Sequence, residues 1–150
     1  MTDRYESAAQ MRIVDYSTSA PAAGAHAPAV ADHYIVRDGR EYAGEHLILD
    51  FHDARPLDDP AYMEEALRAA VDAAGATLLH IHLHRFSPSG GLSGVAVLAE
   101  SHISVHTWPE RDFAAFDVFM CGSTVPALAG EVLRNYFSPG RAELQSLLRG

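Results

Sequence analysis

One cysteine, Cys121, is all that the 150 residues contain. An intramolecular disulfide is therefore impossible, as is a zinc site built from several thiolates. A lone cysteine is ordinarily a small buried hydrophobe, so Cys121 matters only if reactive neighbours surround it. Basic residues are scarce too: eleven Lys plus Arg stand against twenty Asp plus Glu, a formal charge of −9. That balance argues against a nucleic-acid binder, whose affinity comes largely from cations on phosphates. An acidic surface suits a cationic substrate, but it serves solubility equally well. Long apolar runs are missing as well; none approaches the roughly 20 residues that cross a bilayer. Residues Met1 to Glu6 lack the basic start and apolar segment of a secretory signal. These absences predict a cytoplasmic protein with neither nucleic acid nor membrane among its partners.

The remaining composition, with 48% hydrophobic residues, suits one compact domain with a real core. Residues 1–42 differ from the rest. Ser17 to Ala31 is rich in Ala, Pro, Ser and Gly without apolar periodicity, which predicts a flexible extension; Met11–Tyr16 and Tyr34–Val36 are candidates for short ordered pieces. From residue 43 the pattern becomes that of a folded domain. His46–Phe51 reads as a strand. A helix is expected over Pro60–Ala74, with Asp59 as N-cap, Pro60 at the first helical position and Gly75 as C-cap. Strand-like runs follow at Thr77–Phe86, Gly94–Ala99, Ile103–Trp108 and Phe113–Met120, then a helix over Val125–Tyr136. Glu143–Leu148 fits helix or strand. The order predicts an α+β, two-layer sandwich: a mainly antiparallel sheet with helices on one face. The other face then needs cover, so a homodimer packing sheet to sheet is expected.

Chemistry concentrates between Glu100 and Glu110, in the run Glu-Ser-His-Ile-Ser-Val-His-Thr-Trp-Pro-Glu. Period-two alternation puts His102, Ser104, His106 and Trp108 on one face and Ile103 and Val105 on the other. Packing accounts for the apolar face; the first could simply be solvated. Asp117-Val118-Phe119-Met120-Cys121-Gly122 follows one strand later. A hairpin about Pro109–Asp112 would set Trp108 opposite Phe113 and bring Cys121 back near Ser101. On that register a hydroxyl, the His102 imidazole and a thiol meet at one end.

Both runs, in this order and at this separation, resemble the prokaryotic S-adenosylmethionine decarboxylase proenzymes. Glu45-His46-Leu47, Gly75-Ala76-Thr77, His84-Arg85-Phe86, Pro88, Leu92-Ser93-Gly94 and Arg149-Gly150 fit the same pattern, so the resemblance covers about Gly44 to the end. It implies self-cleavage between Glu100 and Ser101, giving fragments 1–100 and 101–150, with Ser101 converted to a pyruvoyl group that holds the substrate amine as a Schiff base. By the same resemblance His106 and Ser93 assist processing, and Cys121 donates the proton after carbon dioxide leaves. Phe86 is implied to stack on adenine and Glu110 to bind ribose hydroxyls, with Trp108 near that pocket. A homodimer with sites built from two protomers is implied too.

Other readings stay open on these residues. His80, His82 and His84 alternate along one strand and could be a metal-ligand row or a solvated stripe; no metal is expected. The same pyruvoyl chemistry could act on arginine or ornithine, since the Pro88–Leu92 loop carries one residue more than the usual pattern. A non-catalytic paralogue acting as a binding module would stay uncleaved.

Overall fold

The structure, a computed structural model, describes residues 33–150. The expected flexible stretch Ser17–Ala31 and the piece Met11–Tyr16 lie outside the described residues. The chain runs β1 (Ile35–Arg37), β2 (Arg40–Tyr42), β3 (Gly44–His52), α1 (Pro60–Ala74), β4 (Leu78–Arg85), β5 (Leu92–Leu98), β6 (Ser101–Trp108), a 3-10 turn (Pro109–Arg111), β7 (Phe113–Met120), α2 (Pro126–Phe137) and β8 (Arg141–Arg149). Strands β1 and β2 form their own hairpin, and the other six make one antiparallel sheet in the order β4-β5-β6-β7-β3-β8. The region ahead of residue 43 thus contains a hairpin, around the piece expected at Tyr34–Val36.

Local chemistry accounts for the element ends. The Asp59 carboxylate accepts from the Ala61 and Tyr62 amides at the start of α1, and Gly75 closes the helix at φ +72°, a conformation that costs glycine nothing. Gly94 answers a different need: a Cβ there would lie 2.5 Å from the His82 carbonyl oxygen, so only glycine lets β4 and β5 approach. Residues 143–148, open between helix and strand, form part of β8 because β3 offers an unpaired edge and the two pair over their full length.

Both helices pack on one face of the sheet. Met63, Leu67, Val71, Leu133 and Phe137 meet Leu47, Leu49, Phe51, Ile103, Val105, Phe116 and Val118, all essentially buried. Each such side chain contributes roughly 1.5–3 kcal/mol relative to exposure. The opposite face is bare in a single chain. The strand registers put His80, His82, His84, Ser93, Val95, Val97, His102, Ser104, His106, Trp108, Phe113, Asp117, Phe119, His46, Ile48 and His52 on it. Seven of the nine histidines in the chain therefore share one face with several half-exposed apolar side chains. Two contacts knit its centre: His46 Nε2 lies 3.0 Å from Asp117 Oδ1, and the Ser104 hydroxyl donates to Asp117 Oδ2 at 3.3 Å.

Candidate active site

Strand β6 carries the chemistry at both ends. At its start the chain turns from Leu98 to Ser101 through only Ala99 and Glu100. Glu100 takes φ +59°, a left-handed conformation that costs a side chain with a Cβ about 1–2 kcal/mol. Such an outlier directly before a buried serine points to function. Ser101, the first strand residue, is 8% exposed, as is Cys121, which stands just past the end of the neighbouring β7.

Three contacts join them. The Cys121 amide donates to Ser101 Oγ at 3.3 Å, Cys121 Sγ lies 3.6 Å from that oxygen, and the Cys121 thiol donates to the Glu100 carbonyl at 3.1 Å. The thiol thus sits on the carbonyl of the Glu100–Ser101 bond itself. If the Ser101 hydroxyl attacked that carbonyl, negative charge would develop on an oxygen already facing an S–H donor. Among the described residues, both hydrogen-bond partners of Ser101 Oγ belong to Cys121, and neither is a base.

At the other end, Ser93 Oγ lies 2.8 Å from His106 Nδ1 across the β5–β6 pair. Trp108 packs on Phe113 at 5.4 Å between ring centroids and lies 6.4 Å from His106. Phe86 bonds through its amide to the Gly91 carbonyl and stacks edge-on against His84 at 4.7 Å; it is 47% exposed and Trp108 41%. Glu110, on the 3-10 turn, lines an open depression with His52, Trp108, Arg111 and Phe113. Thr107 anchors this end from the buried side, its hydroxyl donating to the Leu57 carbonyl at 2.7 Å and accepting from the Leu92 amide at 2.8 Å.

The structure therefore brings the sequence-derived residues together as two groups. Glu100, Ser101 and Cys121 form one; Ser93, His106, Trp108, Phe86 and Glu110 occupy the opposite end. His106 lies five steps along the strand from Ser101, roughly 17 Å at a rise of about 3.3 Å each, and their side chains leave on opposite faces. Trp108 faces Phe113 as expected, but His102 does not join the hydroxyl and thiol. It pairs with Phe119 on the bare face, since adjacent strand residues point to opposite sides. Burial first, then the His46 charge, holds its pKa below the ordinary histidine value, with Asp117 opposing and Arg149 adding to the decrease.

Sequence reading missed two features. The His46–Asp117–Ser104 contact was accessible in principle, because alternation puts all three on one face once β3 and β7 are paired. His33 was not: its imidazole Nδ1 lies 2.9 Å from Glu100 Oε2, across 67 residues of chain. His80, His82 and His84 project in a row from the edge strand; no three potential ligands among the described residues cluster as a metal site.

Residues 45–150 match the family described as S-adenosylmethionine decarboxylase. An S-adenosylmethionine decarboxylase proenzyme of Methanococcus aeolicus is 44% identical over 113 residues, 73% of this chain and 96% of the relative. One from Parasynechococcus marenigrum is 48% identical over 109 residues, 71% of this chain and 84% of the relative. The crystal structure of the adenosylmethionine decarboxylase of Aquifex aeolicus aligns with a TM-score of 0.67 at 32% identity, covering 73% of this chain and 92% of that one.

Proposed function

We propose a complete reading for this chain, which belongs to the S-adenosylmethionine decarboxylase family: it is a proenzyme that cuts itself between Glu100 and Ser101 and acts in the cytoplasm. The chain is an adenosylmethionine decarboxylase, and its product is the aminopropyl donor for spermidine synthesis. The observation that carries the reading is the Cys121 thiol on the Glu100 carbonyl at 3.1 Å, beside the buried Ser101 hydroxyl.

Self-cleavage starts when Ser101 Oγ adds to the Glu100 carbonyl carbon. The C–N bond breaks, its nitrogen takes the proton given up by the hydroxyl, and an ester remains. Loss of the Ser101 Cα proton then breaks the Cβ–O bond and releases the Glu100 carboxylate. The dehydroalanine left behind takes up water and loses ammonia to become a pyruvoyl group. That group supplies an electrophilic carbonyl able to accept the electron pair left when carbon dioxide departs. A pyridoxal-phosphate enzyme would hold its cofactor on a lysine, and this chain contains none. An electron sink made from the chain itself removes that need.

Cys121 serves twice. During cleavage its S–H faces the developing oxyanion; during turnover the same thiol stands beside residue 101, its neighbour in the uncleaved chain, where an acid is required. His106 supplies the base that the Ser101 end lacks. With Nδ1–H donating to Ser93, Nε2 is left free to accept a proton. Phe86 and Trp108 offer flat surfaces to adenine, and the Glu110 carboxylate accepts from ribose hydroxyls.

Within one chain this base cannot reach its hydroxyl. We therefore assign the site to a homodimer in which the Trp108 end of one protomer completes the Ser101 end of its partner. A two-fold axis then makes two equivalent composite sites. The bare face, with Val97, Phe86, Trp108 and Leu147 each at least 40% exposed, supplies the apolar surface that such packing needs.

The direct test compares wild type with Ser101→Ala on a denaturing gel, followed by carbon dioxide release from S-adenosylmethionine, arginine and ornithine. Wild type is expected as two fragments that turn over S-adenosylmethionine, and Ser101→Ala as one inert chain. An intact wild-type chain, or turnover of arginine or ornithine alone, overturns the reading.

A further inference from the structure

We infer that His33 is a positioning residue for self-cleavage, bracing the two loops that hold the reacting atoms. The inference rests on the reading of Glu100–Ser101 as the bond that is cut.

The brace has two arms. The main chain of His33 accepts from the Gly122 amide at 2.7 Å, tying it to the loop directly after Cys121. Its side chain reaches the other way: Nδ1 lies 2.9 Å from Glu100 Oε2, where a ring N–H donates to the carboxylate. One residue thus spans the loop carrying the thiol and the turn carrying the bond to be cut. Those loops meet at the thiol–carbonyl contact of 3.1 Å, the separation on which oxyanion stabilisation depends.

Both braced positions have left-handed backbones, Glu100 at φ +59° and Gly122 at φ +62°. Gly122 adopts this freely, and Glu100 does not. A carboxylate held from outside keeps the strained turn from relaxing, and so keeps the Glu100 carbonyl aimed at Cys121. The pair is about half exposed on both sides, and exposed pairs add little to global stability. Its effect should therefore appear in the rate of a geometry-dependent step rather than in melting. His33 lies ahead of the residues matched by the family, which begin at 45.

The test follows conversion of newly synthesised full-length chain into fragments 1–100 and 101–150 over time. His33→Ala is expected to slow conversion about tenfold, since small misplacements of reacting groups carry large rate penalties. His33→Asn, whose amide nitrogen can stand in for Nδ1, should return the rate to within about twofold of wild type. Glu100→Ala, which removes the acceptor, should slow conversion similarly, and the double variant His33→Ala/Glu100→Ala no further, because coupled residues are non-additive. Melting temperatures should stay together. Wild-type speed in His33→Ala overturns the inference, as do multiplying effects in the double variant or slowing that tracks a lowered melting temperature without rescue by His33→Asn. In each of those cases wild type still cleaves and the proposed function stands; a wild-type chain that never cleaves overturns both.

Discussion

The two ends of β6 are built to opposite specifications. At the Ser101 end the hydroxyl and thiol are buried, the backbone is strained, and the hydrogen bonds join Ser101, Cys121 and the Glu100 carbonyl. At the Trp108 end the residues are open: an imidazole oriented by a serine, two half-exposed aromatic rings and a carboxylate on a turn. Nucleophilic attack on an amide gains from a dry, fixed setting, in which a donor on the carbonyl is worth more than it is in water. Recognition groups and a base can remain open until a second surface covers them. The difference teaches that one chain carries two unlike groups of residues, one dry and strained and one open, and the proposed dimer would join them across protomers.

The largest expected effect breaks or confirms that division. His106→Ala alone should remain uncleaved, as should Ser101→Ala. Co-expression should restore cleavage of the His106→Ala chain, because a mixed dimer supplies it with an intact His106 from the partner protomer. Mixed dimers that form and yet stay uncleaved would show that the two ends do not complete each other.

A smaller effect sharpens the Ser101 end. Cys121→Ala should still cleave, several-fold more slowly, while turnover falls by about 10²–10⁴, the usual contribution of a positioned acid. Fragment accumulation and carbon dioxide release on the same sample separate the two roles. Full turnover in Cys121→Ala would remove the thiol from the chemistry.

The smallest effect concerns the bare face between the ends. His102 has a folded pKa below the unfolded value of about 6.5, so the folded chain favours its neutral form. As pH falls, the unfolded chain takes up that proton first. This contribution to stability is therefore full above about pH 6.5 and declines as pH drops through the folded pKa. Urea midpoints between about pH 7.5 and pH 5 should fall less in His102→Gln than in wild type. Equal slopes would show that His102 is not the group responsible.

Much of this was readable beforehand, for specific reasons. Helix α1 was legible to its last residue because Asp59, Pro60 and Gly75 act on the backbone within one turn of themselves. Strand β7 and the pairing of Trp108 with Phe113 were legible because a short turn leaves little freedom of register. His102 was misplaced because hairpin register sets only position along the strand, whereas pleat alternation turns His102 to the face opposite Ser101. Strand β8 stayed ambiguous because its short apolar pattern fits either period, and pairing along β3, some hundred residues earlier, decides it.

The sequence by itself determined the caps, the alternation along β6, and the ordered run of Glu100, Ser101, His106, Glu110 and Cys121 that marks the family. These depend on neighbours a few residues apart or on residue identity alone. Only the tertiary structure decided that the Cys121 thiol lies on the Glu100 carbonyl, that Ser93 meets His106 at the far end of β6, and that His33 reaches the Glu100 carboxylate. Those contacts arise from strand order and loop closure, which the whole core sets and no local pattern encodes.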